Sequence, residues 1–381
     1  MRIKSVRSSR YRVPIDVPLL DTQIHREFVL VEVRTEDDEV GYGLCGRPGM
    51  FDTVIEFIDN AVGPYLAGRD ASGSEEILTI LERKHNHRRM GGLWASAFSG
   101  IDIALWDLRG KAAGKSITTL LGGARRAVPV YLTYGVTEMS IEQLQAVGEQ
   151  LVGEGYSRLK MIVGGFSYLH EVAGGREARG EGLGFDIAED ARRVAAVREA
   201  IGGDAELAID ANCAFSLPEA LDLAKRVEPY RIAWFEEPVV ANDVALLREF
   251  RRQSPIPLSA GQTLSNLWEH RPLLAGNLID YSQPNVCHGG GFTTCLKVAH
   301  LAEAFNIQIR NGGGWPHHNL HVQAGVPNGG LVELHWLAWK AGEAMFSNPP
   351  VVEGEHMLVP DRPGLGMEPD LDALDAYRVT R

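Results

Sequence analysis

Two patterns of apolar and polar positions divide this chain. In the first stretch, apolar residues alternate with polar ones at every second position, as in Phe28–Val33 (FVLVEV). That period predicts antiparallel strands, with an acidic turn at Glu36–Asp38. Helical spacing follows, with Phe98, Ile101, Ala104, Leu105 and Leu108 making one apolar stripe within residues 95–114. Up to about residue 125 the chain therefore reads as an α+β module. From about residue 128 the pattern becomes strand then helix, repeatedly. Eight runs predict strands: VPVYLTYG (128–135), SRLKMIVG (157–164), ELAIDAN (206–212), RIAWFEEP (231–238), IPLSAGQT (256–263), LIDYSQPN (278–285), IQIRNGG (307–313) and LVELHWL (331–337). Eight strands with intervening helices imply an α/β fold, a (β/α)₈ TIM-type barrel. The expected division is residues 1–125, a barrel over 126–345, and a Pro- and Gly-rich segment, 346–381, returning over the first module. Between Gly164 and Phe185 lies a glycine-rich connection, long for a βα loop. It follows a strand, so it belongs on the active-site rim, where it could cover a pocket; the alternative is a surface insertion.

Composition changes this picture only at the margins. A chain of 381 residues favours two domains. Its net charge of −12 argues against a nucleic-acid partner. It leaves a small anionic substrate open, because the field inside a cleft need not follow net charge. No apolar run is long enough to span a membrane, and the basic N-terminus lacks the apolar stretch of a signal peptide. Cys45, Cys213, Cys287 and Cys295 are scattered without CxxC spacing, as expected of reduced, buried residues in a cytoplasmic protein.

The candidate chemistry lies in three of the strand ends. Asp210, Glu236 and Gln262 close successive strands at an equal interval of 26 residues, which fits one strand, loop and helix. Equal periods bring such ends to one rim of a closed barrel, where the active sites of these barrels lie. Three converging oxygen ligands suit Mg²⁺. Ordinary polar residues at strand ends are the alternative.

Several stretches resemble the enolase superfamily, and within it the mandelate racemase/muconate lactonizing enzyme group. They are IDIALWDLRGKAAGKSITTLLGG (101–123), AIDAN (208–212), WFEEP (234–238), SAGQTLS (259–265), the segment around SQPNVCHGGG (282–291) and the LVELHW end. The resemblance covers nearly the whole chain. It implies an N-terminal capping domain, a modified barrel, bound Mg²⁺, and a first step in which a base removes the proton alpha to a carboxylate. It further implies a homo-oligomer, dimer or octamer. By position, Asp210 and Glu236 look like the first two metal ligands. Gln262 takes the third, where most relatives carry a carboxylate; one less negative charge should weaken metal binding but sharpen Lewis acidity.

The bases depart from the family pattern. Where relatives often carry Lys-x-Lys, this chain has Lys160-Met161-Ile162. The positions of the racemase-type His–Asp pair are Gly312 and Asn285, and the lysine of muconate-lactonizing relatives also maps to Asn285. Lys160 remains, either as the base, with a pKa pushed down by burial near Mg²⁺, or as the cation that neutralises the substrate carboxylate. A snorkelling surface lysine is the alternative. Glu333 matches the acid that hydrogen-bonds the substrate carboxylate in racemase-like relatives, with a structural role nearly as plausible. In NGGGWPHHNLH (311–321), His317 or His318 could supply the missing acid or base, each weighed against a capping or core histidine. His288 is a weaker candidate. His25 and Gln23 fall in the first-domain loop that relatives use to contact substrate. Asn212, Asn285, Asn311 and Trp315 are expected at the substrate-facing rim, suited to a hydroxyl-rich molecule.

A Mg²⁺-dependent dehydratase of a hydroxy-carboxylic acid or acid sugar is the leading reading, since one base suits elimination better than racemisation. An epimerase, racemase or cycloisomerase of the same family is the second. A pseudoenzyme binding an acidic ligand on a degenerated site is the third, motivated by Ile162, Asn285 and Gly312.

Overall fold

A computed structural model describes residues 1–17, 23–47, 49–88, 91–136, 138–165 and 186–380. Most of the Gly164–Phe185 connection lies outside the described residues.

Alternation builds the first layer. Strands β1 (Ile3–Asp16), β2 (Gln23–Thr35) and β3 (Val40–Cys45) form an antiparallel sheet in the order β1-β2-β3. One face packs on the helix Leu93–Ala113, whose apolar stripe is buried. Approach is close: a Cβ at Gly41 or Gly43 would collide with the backbone of Ala104 or Gly100 on that helix. Glycine at these two strand positions lets helix and sheet touch.

The barrel follows. β4 (Ala127–Tyr134), β5 (Arg158–Ile162), β6 (Glu206–Asp210), β7 (Ile232–Glu236), β8 (Leu258–Ala260), β9 (Tyr281–Ser282) and β10 (Gln308–Ile309) pair in sequence order, all parallel. β11 (Val332–His335) pairs parallel with β4, and the Asn311 N–H donates to the Leu331 carbonyl beside β10. Each predicted strand is present, but those from β8 to β10 are shorter than the apolar runs. Gly261, at φ +118°, turns the chain sharply out of β8 before Gln262. Inside, Tyr131, Ala208, Trp234 and Leu331 form one packed layer beneath the rim, with Tyr131 and Trp234 edge to face at 5.2 Å.

The C-terminal segment ties the parts together. The hairpin β12 (Val352–Glu353) and β13 (His356–Leu358) adds antiparallel to the start of β4. Beyond it, the Val379 N–H donates to Arg10 of β1. A second tie joins cap and barrel: Asp102 of the Leu93–Ala113 helix accepts hydrogen bonds from Thr293 N (2.9 Å) and Thr293 Oγ1 (2.5 Å). Thr293 lies in the first turn of the barrel helix Gly291–Ala304, so Asp102 satisfies an otherwise orphaned donor there. Cys45, Cys287 and Cys295 are buried and unbridged, and no described helix is long and apolar enough to cross a membrane.

Candidate active site

Strand register assembles the rim. Ile162, Asp210 and Glu236 are consecutive Cα partners across β5, β6 and β7, so these strands end level. Lys160 lies two residues before Ile162, on the same inward face. Its ammonium is fully buried and contacts three carboxylates: Asp210 Oδ2 at 3.1 Å, Glu236 Oε2 at 2.8 Å and Glu333 Oε1 at 2.9 Å. The tyrosine floor adds to this, with the Tyr131 ring centre 5.3 Å below Nζ.

Burial and the surrounding carboxylates act on this lysine in opposite directions. Burial alone would lower its pKa, but Glu236, Glu333, Tyr131 and Asp210 together hold it well above the ordinary value. These carboxylates favour its charged form, and a divalent cation held by Asp210 and Glu236 would oppose them. Glu333 is pinned beside it. Thr133 Oγ1 donates to its Oε1 at 2.5 Å and Gly314 N donates to its Oε2 at 2.6 Å. Burial opposes its ionisation, yet Lys160, His335 and Thr133 bring its pKa below the usual carboxylate value.

A gap for a cation lies beside this cluster. Glu236 Oε1 is buried and has no hydrogen-bond partner. A Cβ placed on Gly312 would lie 2.9 Å from that oxygen, 3.1 Å from Gln262 Oε1 and 2.8 Å from Gln283 Nε2. Gly312 thus leaves space faced by a carboxylate oxygen and an amide oxygen. The amide is oriented from behind. Asn242 Nδ2 donates to Glu237 Oε1 and Gln262 Nε2 donates to Glu237 Oε2, both at 2.7 Å. With its nitrogen so engaged, Gln262 turns its oxygen to the gap. Among the described residues no three His, Cys, Asp or Glu side chains are arranged to hold a metal. Glu236 and this amide offer hard oxygen donors to the gap, with the Asp210 carboxylate on the neighbouring strand end, and such donors fit Mg²⁺.

A cleft of about 530 Å³ opens over the gap, between cap and barrel. Gln262, Glu237, Asn212, His288 and Gly313 line its barrel side; His25, Arg26 and Arg47 line its cap side. Asn212 is held at the left-handed φ of +47° while its N–H donates to Asp210 Oδ1 at 2.8 Å. Burial lowers the His288 pKa to about 3, and the nearby Arg47 and Arg26 push the same way.

Several expected site residues lie elsewhere. His317 and His318 are on the helix Pro316–Gly325, fully buried, with ring centres 6.0 and 5.7 Å from Phe346. Burial lowers the His317 pKa to about 3. Neither lines the cleft, so the expectation that they act at the rim is corrected: that helix turns both rings into the core. Asn285 and Asn311 are structural fasteners. Asn285 Nδ2 donates to the Gly312 carbonyl at 2.6 Å; Asn311 Oδ1 accepts from Glu333 N at 2.8 Å and thereby helps close the barrel. Gln23 donates to Asp16 Oδ1 at 2.9 Å across the β1–β2 ends and is exposed, away from the cleft. Trp315 is buried, and its ring carries the Arg26 guanidinium at 5.1 Å.

Residues not anticipated from the sequence include Arg26, Arg47, Glu237 and His335. Two of them had a signal. Arg26 interrupts the inward row Ile24, Phe28, Leu30 of β2, and His335 follows Glu333 by two on β11, so both share a face with a known neighbour.

Comparison with known proteins identifies the family and the fold. Residues 2–122 match the family described as Mandelate racemase / muconate lactonizing enzyme, N-terminal domain, and residues 143–373 match Enolase C-terminal domain-like. The chain is 30% identical to D-galactarolactone cycloisomerase from Agrobacterium fabrum, over 100% of this chain and 99% of that protein. It is also 30% identical to arabinonate dehydratase from Saccharolobus solfataricus, covering 89% and 87% respectively. Among solved structures, a racemase from Streptomyces coelicolor A3(2) with bound magnesium superposes with a TM-score of 0.86 at 29% identity, over 99% of this chain and 100% of that one.

Proposed function

Because the chain belongs to the mandelate racemase/muconate lactonizing enzyme family of the enolase superfamily, we propose that it is a Mg²⁺-dependent dehydratase of an acid sugar or other hydroxy-carboxylic acid. The observation that carries this reading is that Glu236 Oε1 and Gln262 Oε1 face one gap, while Asp210 and Glu236 end neighbouring strands level with each other and share a buried lysine. Asp210, Glu236 and Gln262 would hold the metal. When bound, Mg²⁺ supplies positive charge opposite the carboxylate oxygens as the alpha proton leaves.

Lys160 supplies a second fixed cation for the substrate carboxylate, and Glu333 holds that ammonium in place. Two imidazoles line the cleft, and His25 and His288 are the candidates for proton transfer. The cap supplies one wall of the cleft through His25, Arg26 and Arg47. Incubation with Mg²⁺ and a library of acid sugars should give 2-keto-3-deoxy acids. No turnover across such a library would count against the reading.

Cycloisomerisation is the second reading, favoured by relatives that include a 3,6-anhydro-alpha-L-galactonate cycloisomerase at 31% identity. Incorporation of solvent deuterium at the alpha carbon without loss of water would select it. A protein stripped with chelator that neither takes up Mg²⁺ nor changes its melting temperature with it would instead indicate a ligand-binding pseudoenzyme.

A further inference from the structure

Where relatives often carry a second lysine this chain has Ile162, and a histidine from β11 stands on the face so vacated. Register places it. Lys160, Thr133 and His335 are consecutive Cα partners across β5, β4 and β11, and His335 follows Glu333 by two, so all four turn inward near the rim. A cavity of about 90 Å³ lies where these strand ends meet. Leu132, Met139, Val147 and Ile162 make its wall mostly apolar, while Thr133 and His335 bring polar groups to it. The gap for a cation is on the other flank of Lys160, at Glu236, Gln262 and Gly312. The ammonium touches both flanks, Asp210 and Glu236 on one and Glu333 on the other.

Ordinary roles do not account for His335. It holds the N-cap of the helix Trp336–Met345, a position that suits Ser, Thr, Asp or Asn, yet its side chain makes no capping hydrogen bond. It is not sealed in the core either: the residue is partly exposed, whereas Glu333 and Leu334 before it are buried. Glu333 on its own strand, Arg26 on β2 and Lys160 on β5 are the charged groups that act on the ring. Desolvation by packed neighbours lowers its pKa and keeps the ring neutral, in the form that accepts a proton. Glu333 favours the cation that proton uptake creates.

We propose that His335 is the base, and then the acid, of the elimination, acting where Ile162 has displaced a lysine. This deepens the dehydratase reading of the same site and rests on it. A carboxylate between the cation gap and Lys160 points its alpha carbon along the cluster, towards Glu333 and His335. The imidazole takes the alpha proton, and the C–H electron pair moves into the carboxylate. That pair then forms the carbon–carbon double bond as the hydroxyl leaves the beta carbon, and the imidazolium returns its proton to the departing oxygen. Water and an enol result, and the enol tautomerises to the 2-keto-3-deoxy acid. One imidazole thus carries one proton from carbon to oxygen, with no further reactant.

The test uses the full chain with Mg²⁺. Proton NMR in deuterium oxide follows an aldonic acid, which can lose water, and its 3-deoxy counterpart, which cannot, on wild type, His335→Gln and His335→Asn. Wild type is expected to dehydrate the first and to exchange the alpha proton of the second. Each variant should lose about 10³-fold in both rates while KM stays within about three-fold. Imidazole added to His335→Ala should restore part of the rate, and more basic derivatives should restore more. Mg²⁺ affinity by calorimetry and melting temperature should match wild type. A loss below about ten-fold, exchange that survives in the variants, or Mg²⁺ binding lost with the histidine overturns the assignment. Wild type also gives an answer that needs no variant. An alpha-bromo acid, whose alpha carbon a neighbouring imidazole attacks with loss of bromide, should label His335; a label on His25 or His288 instead overturns the proposal. The two readings fail separately. Exchange that depends on His335 without loss of water from any acid would keep the base and remove the dehydratase, whereas dehydration indifferent to His335 would do the reverse.

Discussion

Lys160 is the residue on which the polar cluster balances. Removing one member of a buried ion network leaves uncompensated charge, so Lys160→Met should lose about 3–5 kcal/mol of stability without metal. Added Mg²⁺ should then raise its melting temperature more than that of wild type, because the ion would replace the lost charge on Asp210 and Glu236. An equal response in both proteins would detach Lys160 from the metal ligands. Glu237 is predicted to work through Gln262. Glu237→Gln offers the Gln262 amide a mixed donor and acceptor, frees it to turn, and should weaken Mg²⁺ binding about ten-fold by calorimetric titration. Unchanged affinity would mean that the amide needs no such orienting. Gly312 has an ordinary backbone, so Gly312→Ala tests space alone: its methyl would lie 2.9 Å from Glu236 Oε1. Loss of the Mg²⁺ response with the fold retained is the expected outcome, and an unaltered response would place the ion elsewhere. Asp210 and Glu236 could be picked out from the sequence because both end strands at one period. The fates of His317 and His288 could not, because adjacent loop and helix residues carry no period that says which faces the cleft.

At the scale of elements, the junction between the cap helix Leu93–Ala113 and the barrel helix Gly291–Ala304 holds a buried aspartate, beside hydrogen bonds from Gly290 N to Ser99 and from Trp106 to Thr293. Burial raises the Asp102 pKa to about 7, against the hydrogen bonds from Thr293 that lower it. A carboxyl whose folded pKa lies above its unfolded value contributes stability that is complete below the unfolded value and is lost as pH rises through the folded one. Wild-type stability should therefore fall between about pH 4 and about pH 7, while Asp102→Asn should show a flatter profile over that range. Equal pH slopes in chemical denaturation would refute the assignment. Asp102→Ala leaves two donors of Thr293 without their acceptor and should cost about 1–3 kcal/mol at pH 6. Strand existence was readable from apolar runs, but strand length was not. β9 and β10 keep two residues each, because the chain leaves the ladder early to carry Gln283, Asn285 and Asn311 into the rim and its fastenings. Apolar content does not record that departure.

For the whole molecule, the cleft exists only where cap meets barrel. Arg26 and Trp315 are far apart in sequence, yet they stack across that boundary, and the C-terminal segment closes it by pairing with both β4 and β1. Spacing and alternation along the sequence determined the barrel, the level rim and the oxygen-bearing ends, since these follow from strand and helix periods that repeat locally. Tertiary structure alone decided which polar groups meet. It turned two adjacent histidines into the core, set Lys160 among three carboxylates, and brought two arginines to the cleft wall. Those outcomes depend on burial and on neighbours distant in the chain, and no local period encodes either.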